Sequence, residues 1–330
     1  MLRWGILSTA KIGREHVMPA IAKATNGRLA AIASRDVERA REVAEMFSIP
    51  RAYGSYNELL ASDEVDVIYV PLPTSQHAEW TLKAIEAGKH VLCEKPMGMT
   101  AAEIATIADA AKAAGVTVSE AFMVTYHPQW AKVQQLIADG AIGRLMHIEA
   151  AFSYYNVDAA NMRNRPELGG GALRDIGVYP MVTSRFATGM EPVRVRAKVV
   201  TDAEFGTDSF VTGTVDFSDF EMSLYLGTRM ANRQGIVFHG QDGFIEIAAP
   251  FNASLYDGDK VFLHDRTHRH TETFRFPGIY QYRLQVESFA DAIAGKGTEL
   301  FSLESSRRNQ AAIDALFEAG RTGDWVEVSG

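Results

Sequence analysis

Through residue 122, short apolar runs alternate with longer stretches in which apolar residues recur every three or four positions, the rhythm of βαβ units wound into a parallel sheet. Residues 4–7, 29–33, 65–70, 90–93 and 116–119 read as strands, and 36–47, 55–60, 76–87 and 100–114 as helices. Asp36 and Thr100 stand where N-caps belong, and Gly88 and Gly115 where helices stop. Pro19 predicts a kink or a restart in the first helical segment.

From about Leu145 the period shortens to the alternation of antiparallel strands, at 146–154, 193–201, 209–217, 221–227, 235–239, 243–248 and 261–264. Long helical stretches follow at 280–294 and 304–319. The expected class is α/β: an N-terminal Rossmann-type, doubly wound parallel sheet over 1–122, then an α+β domain over 123–330 with a large open, mostly antiparallel sheet. No internal repeat or low-complexity segment interrupts this division.

At 330 residues the chain can support two separate cores without metal or disulfide staples. Hydrophobic residues make up 47% and charged ones 22%, which argues against disorder. The 33 Lys+Arg against 41 Asp+Glu leave a formal charge of −8 with no basic stripe, so nucleic acid is not an expected partner. A single cysteine, Cys93, excludes an internal disulfide and a cysteine-built zinc site and fits a reducing cytoplasm. No export signal is visible at the N-terminus, and no stretch approaches the roughly 18 apolar residues of a membrane span, so neither export nor a membrane is expected.

Two places carry candidate cofactor chemistry. The loop after the first strand, Ser8-Thr9-Ala10-Lys11-Ile12-Gly13, keeps only the third glycine of the G-x-G-x-x-G template, with Ser8 and Ala10 at the first two glycine positions. It is either an ordinary strand-to-helix turn or a phosphate loop whose small side chains admit the anion and whose Ser8 and Thr9 hydroxyls add donors. The second strand ends Ala33-Ser34-Arg35-Asp36, without the acid that usually binds a ribose 2′-hydroxyl. Ser34 and Arg35 suit a 2′-phosphate, and Asp36 is better used as a helix cap than as a ribose ligand, so NADP(H) is favoured over NAD(H).

Two further segments carry candidate reaction chemistry. Cys93-Glu94-Lys95-Pro96 puts an ammonium just after an apolar strand; Pro96 either ends that strand or takes a cis bond that aims the lysine. Gly169-Gly170-Gly171-Ala172-Leu173-Arg174-Asp175-Ile176-Gly177-Val178-Tyr179 puts a carboxylate and a phenol four residues apart, on one face if the segment is helical from about Asp175. Its triple glycine leaves room for a ligand. Oxidising an alcohol removes a hydride from carbon and a proton from oxygen, so a base must touch the hydroxyl. A free tyrosine titrates near pH 10, but an ammonium about 4 Å away contributes up to roughly 4 kcal/mol, about three pKa units, at an effective dielectric of 20. Taken singly, Lys95 is a solvated strand end, Tyr179 a core residue and Asp175 a helix cap; taken together, Lys95 and Tyr179 read as a proton relay.

Other candidates have plainer readings. His77 and His127 lack clustered carboxylates, which favours packing or hydrogen bonding over metal ligation, and Cys93 reads as a buried strand thiol. One ring of Tyr154-Tyr155 faces the core while the other is free to stack on a sugar.

Gly5, Pro71-Leu72-Pro73-Thr74 with His77 shortly after, Glu94-Lys95-Pro96, Glu120-Ala121-Phe122-Met123, Tyr126-His127-Pro128 and the 169–179 glycine motif occur in that order over nearly the whole chain. Together they resemble the glucose–fructose oxidoreductase, inositol dehydrogenase and rhizopine catabolism family, nearest its dimeric dihydrodiol dehydrogenase and NADP-dependent D-xylose dehydrogenase branch. The resemblance implies a nucleotide-binding domain, a substrate-binding domain whose open sheet makes a homodimer or homotetramer, and an active site in the cleft between them. It implies Lys95 and Tyr179 at the substrate hydroxyl with Asp175 in the same motif. It also adds Leu72, Thr74, His77, Glu94, Lys95 and Arg163 to a cofactor set of Ser8, Thr9, Ala10, Lys11, Ile12, Ser34 and Arg35. Two departures stand out: the thinned glycine loop, and Tyr179 where many sugar and inositol members carry histidine. The expected activity is metal-free, NADP(H)-preferring oxidation or reduction of a sugar or related polyhydroxylated ring. The alternatives are a trans-dihydrodiol dehydrogenase, a ketosugar reductase, or a non-catalytic NADP-sensing regulatory protein.

Overall fold

Leu2–Leu7 (β1) buries its last four residues, as a strand flanked on both sides must. It pairs in parallel with Gly27–Ala33 (β2) and with Val67–Val70 (β4); Arg51–Tyr53 (β3), His90–Cys93 (β5) and Val118–Glu120 (β6) complete the sheet. The order is β3-β2-β1-β4-β5-β6, with the winding reversing between β1 and β4. The computed structural model describes residues 1–253 and 258–329.

Local signals place the helices of this sheet. Asp36 caps Val37–Met46 by accepting the Glu38 and Arg39 N–H groups, and Thr100 caps Ala101–Ala114 by accepting that of Glu103. Gly88 and Gly115 close their helices in the left-handed region, at φ 70° and 65°. The first helical segment changes character beside Pro19: a π turn at Gly13–Val17 gives way to an α-helix at Met18–Lys23. The short edge strand β3 carries no apolar run, which is why alternation does not reveal it.

The chain forms two compact units, Met1–Tyr126 with Tyr280–Arg307 and His127–Ile279 with Arg308–Gly330, so neither is continuous as a boundary at 122/123 would have it. The helix Gln281–Ile293 belongs to the first unit because its apolar stripe buries Val286, Phe289 and Ala290, with Phe289 5.7 Å from the fully buried Trp4 ring. Asn26 Nδ2 reinforces the docking, donating to Glu287 O at 2.9 Å and to Asp291 Oδ1 at 2.7 Å.

The second unit is built on a sheet of nine strands. These are Leu145–Tyr155 (β7), Arg194–Thr201 (β8), Asp208–Asp216 (β9), Glu221–Gly227 (β10), Arg229–Gly240 (β11), Gly243–Ile247 (β12), Lys260–Asp265 (β13), Thr271–Arg275 (β14) and Val326–Glu327 (β15). Their order is β14-β13-β12-β11-β7-β10-β9-β8-β15, antiparallel throughout except for the parallel pair β7 and β10. Helices Pro128–Ala138 and Val178–Thr188 pack on one another, and His127 caps the first by accepting the Gln129 N–H at Nδ1. Among the described residues no helix is long and apolar enough to cross a membrane.

Candidate active site

β1 delivers the chain into Ser8, whose φ of 100° lies in the region where glycine is at ease. The glycine of the dinucleotide template is absent, yet its backbone conformation is kept. Ser8 Oγ accepts from the Ala10 N–H at 3.2 Å and donates to Pro71 O at 3.4 Å, tying this loop to the one that follows β4. The Ser8 hydroxyl, expected as a phosphate donor, therefore serves the turn itself. Arg14 Nε holds the next residue by donating to Thr9 O at 3.0 Å. A Cβ at Gly13 would lie 3.4 Å from Met18 and 3.5 Å from Tyr69, ordinary contact distances, so the space at the retained glycine would admit a methyl group.

A cavity of about 390 Å³ opens here, lined by Ser8, Thr9, Ala10, Ser34, Arg35, Asp36, Arg39, Tyr56, Pro71, Leu72, Pro73 and Gln76. It lies at the carboxyl ends of β1, β2 and β4, where the strand order reverses; open α/β sheets bind their ligands at such points. Asp36 spends Oδ1 on the N–H groups of Glu38 and Arg39, the capping use expected for it. That leaves two arginines, Arg35 and Arg39, with the Ser34 hydroxyl around a single recess, a donor set that suits a phosphate. Arg35 stands by the Tyr56 phenol, whose pKa burial raises and the neighbouring guanidinium pulls back.

Of the cofactor residues expected from sequence, Ser8, Thr9, Ala10, Ser34, Arg35 and Leu72 line this cavity together. Lys11 and Ile12 begin the helical segment after the loop, and Thr74 begins the helix Thr74–Glu86. Arg39 and Tyr56 escaped the sequence reading. Arg39 had a signal, since it lies one helical turn beyond the Asp36 cap and so returns to the end of β2; Tyr56 had none.

The Lys95 segment lies in the same unit. Glu94, 8% exposed, accepts the Tyr69 hydroxyl at 2.7 Å and, through Oε2, the Lys95 N–H at 3.3 Å. The Lys95-Pro96 bond is cis. His77 is 2% exposed, with Nδ1 2.7 Å from Pro96 O and Nε2 2.6 Å from Leu72 O; burial lowers its pKa, and the neutral ring has one N–H to donate to one of these two carbonyls. The Met97 N–H donates to Glu120 Oε1 at 2.8 Å. Cys93 is fully buried and burial pushes its thiol well up, in keeping with an inert strand cysteine.

In the second unit, Asp175 lies in a π turn, Leu173–Gly177, and Tyr179 in the α-helix that follows, so the expected single α-helix from Asp175 is replaced by a widened turn. The Asp175 carboxylate is no helix cap. Its Oδ2 accepts from Tyr154 Oη at 2.8 Å and Arg163 Nε at 2.7 Å. Asp175 holds the Arg163 guanidinium firmly charged, and the Tyr154 and Tyr179 phenols add to this. Burial, then the Asp175 charge, drives the Tyr154 phenol far above its ordinary value. Tyr179 is 6% exposed and packs its ring against Phe152, 5.6 Å away, and Phe251, 5.4 Å away, two rings that stack on each other at 4.9 Å. Of the tyrosine pair on β7, Tyr155 is the one turned to solvent.

The glycines of this motif do not leave room for a ligand. A Cβ on Gly170 would lie 2.5 Å from Arg163 O, and one on Gly171 1.8 Å from Asp208 Oδ1. They are there because backbone and a carboxylate pass through the space a side chain would need. Among the described residues no group of three or more His, Cys, Asp or Glu is placed to hold a metal ion.

A parallel sheet in this order with a switch-point cavity that holds two arginines, in a chain whose residues 2–122 match a family of NAD-binding oxidoreductases, marks an oxidoreductase of the dinucleotide-fold class. The chain belongs to the GFO/IDH/MocA oxidoreductase family. Residues 2–122 match the family's NAD-binding Rossmann fold and residues 130–246 its C-terminal domain. The NADP(+)-dependent D-xylose 1-dehydrogenase 2 of Haloferax volcanii is 36% identical over 330 residues, 99% of this chain and 100% of that one. The trans-1,2-dihydrobenzene-1,2-diol dehydrogenase of Xenopus laevis is 35% identical over 253 residues, 74% of each chain. A 3-ketoreductase from Actinomadura kijaniata, solved with NADP and TDP-benzene, superposes with a TM-score of 0.89 at 28% identity, covering 96% of this chain and 97% of that one.

Proposed function

We propose that this protein is an NADP(H)-preferring oxidoreductase that moves a hydride between nicotinamide and a sugar or related polyhydroxylated ring, with Tyr179 and Lys95 handling the hydroxyl proton. The observation that carries the cofactor preference is the end of β2: Asp36 is committed to capping, while Ser34, Arg35 and Arg39 share one cavity. Those three would hold the 2′-phosphate, and the turn at Ser8 to Ala10 would meet the pyrophosphate. When bound, the nicotinamide supplies or accepts the hydride.

The chain's own residues manage the proton. Tyr179 takes it from the substrate hydroxyl in oxidation and returns it in reduction, and the Lys95 ammonium favours the phenolate. Arg163, within electrostatic reach of Tyr179, acts in the same direction, with Asp175 fixing its place. The D-xylose dehydrogenase and the 3-ketoreductase to which this chain is similar support a sugar as the substrate class. We infer further that the nine-stranded sheet, with Met146 and Val200 exposed at 43% and 41%, is covered by a second copy of the chain, which size-exclusion chromatography with light scattering tests.

The deciding experiment follows absorbance at 340 nm across aldoses, polyols and ketosugars with NADP⁺/NADPH and NAD⁺/NADH in parallel. Turnover of a sugar with NADP(H) ahead of NAD(H) is expected; no hydride transfer to any sugar, or a preference for NAD(H), overturns the reading. Lys95→Met should lower turnover by orders of magnitude, to a residual rate still readable at high enzyme concentration, while NADPH binding, followed by its fluorescence, persists. Unchanged activity in that variant removes the relay.

A further inference from the structure

The segment that carries Lys95 is held by two buried side chains that the proposed reaction leaves without a task. Pro96 O and Met97 N–H are the two polar ends of one peptide group, which is planar and rigid, and they point to opposite sides of it. At one end His77 Nδ1 lies 2.7 Å from Pro96 O; at the other, Glu120 Oε1 accepts the Met97 N–H at 2.8 Å. His77 comes from the helix Thr74–Glu86 and Glu120 from the end of β6, so two separate elements reach in, and both residues are only 2% exposed.

We propose that His77 and Glu120 form a two-sided clamp on the Pro96–Met97 peptide plane and are positioning residues that set where the Lys95 ammonium points. A lysine has a long flexible stem, and fixing the peptide plane beside it fixes the point from which the ammonium reaches. Misplacing a reacting group by about 1 Å costs on the order of 100-fold in rate. The clamp is completed behind Lys95, where Glu94 accepts the Lys95 N–H and is itself held by Tyr69. Burial keeps the His77 ring neutral, with one N–H to give, and the clamp uses the form that carries it on Nδ1 toward Pro96 O rather than on Nε2 toward Leu72 O, 2.6 Å away. Neither clamp residue is needed to balance the reaction; each acts through Lys95.

The inference rests on Lys95 acting at the substrate hydroxyl, and the test separates the two. Full-length Glu120→Ala, Glu120→Asp, Glu120→Gln and His77→Ala proteins are assayed with NADP⁺ and the most active sugar of the screen above, each alone and combined with Lys95→Met. The alanine variants should lose kcat by about 10- to 100-fold with NADPH affinity nearly unchanged. Glu120→Gln, whose amide oxygen still accepts from Met97, should keep most of it. In the Lys95→Met background the same changes should cost nothing further, because residues that act through one group are not additive. Where an alanine variant does not fold, Glu120→Asp carries the test: its carboxylate is drawn back by one methylene, so kcat should fall below that of Glu120→Gln. Full kcat in folded clamp variants, or an equal loss with and without Lys95, overturns the clamp. A Lys95→Met enzyme of wild-type activity overturns the role of Lys95 itself.

Discussion

Oδ1 of Asp208 lies 1.8 Å from the point that a Cβ on Gly171 would occupy. The glycine stands at φ 114°, and the carboxylate enters to accept the Leu173 N–H at 2.6 Å, capping the turn that leads to Asp175 and Tyr179. Burial pushes the Asp208 carboxyl up to about 6, against the pull of the N–H groups it accepts. Gly171→Ala therefore meets both backbone strain and a displaced buried carboxylate, and should cost upward of roughly 3 kcal/mol. Urea unfolding measures it, and a variant as stable as the parent would show that Asp208 does not fill this space.

Glu120 makes a stability prediction separable from its place in the clamp. Burial lifts its carboxyl from 4.5 to about 7, and the nearby Ser306 hydroxyl, which does not complete a well-formed hydrogen bond, offsets only part of this. Between those values the folded protein keeps a proton that the unfolded chain has released. Stability from this group is thus present below pH 4.5, lost as the pH rises to about 7, and constant beyond, a loss of roughly 3 kcal/mol. Glu120→Gln lacks that slope. Thermal unfolding across this window should show the variant gaining on the parent as pH rises, whereas parallel curves would contradict the assignment.

His127 bends the curve the other way. Burial lowers its pKa from 6.5 to about 4, and its Nδ1 must stay unprotonated to accept the Gln129 N–H. The unfolded chain takes up a proton first as the pH falls, so stability is full above pH 6.5 and drains toward pH 4. His127→Asn keeps a capping oxygen without the titration. Its unfolding free energy should be flatter than the parent's on the acid side, and an identical acid slope would assign the loss to other groups.

The paired arginines at the end of β2 predict how selectivity breaks. Charge-assisted hydrogen bonds contribute about 1.5–3 kcal/mol, so Arg35→Ala or Arg39→Ala should raise KM for NADP⁺ by about 10- to 100-fold and barely move KM for NAD⁺. The ratio of kcat/KM for the two cofactors is the measurement. Equal effects on both would place the 2′-phosphate elsewhere.

What the sequence determined alone were features whose causes lie within a few residues of one another. The Asp36 and Thr100 caps, the left-handed stops at Gly88 and Gly115, the restart near Pro19 and the alternation along β7 to β13 are of this kind. So is the grouping of Ser34, Arg35 and Asp36 on one strand-to-helix turn, whereas the recess they border also needs the loops after β1 and β4. Tertiary structure decided whatever joins residues distant in the chain. The docking of the helix Gln281–Ile293 on Trp4, the parallel pairing of β7 with β10, and the hold of His77 and Glu120 on one peptide plane depend on long-range packing, which no local period encodes. The same holds for Asp175, which looks like a cap in one dimension and becomes the anchor of Arg163 and Tyr154 in three. Glycine shows the limit most plainly: at Gly170 and Gly171 an absent side chain signifies not an open site but a space already taken by Arg163 O and Asp208.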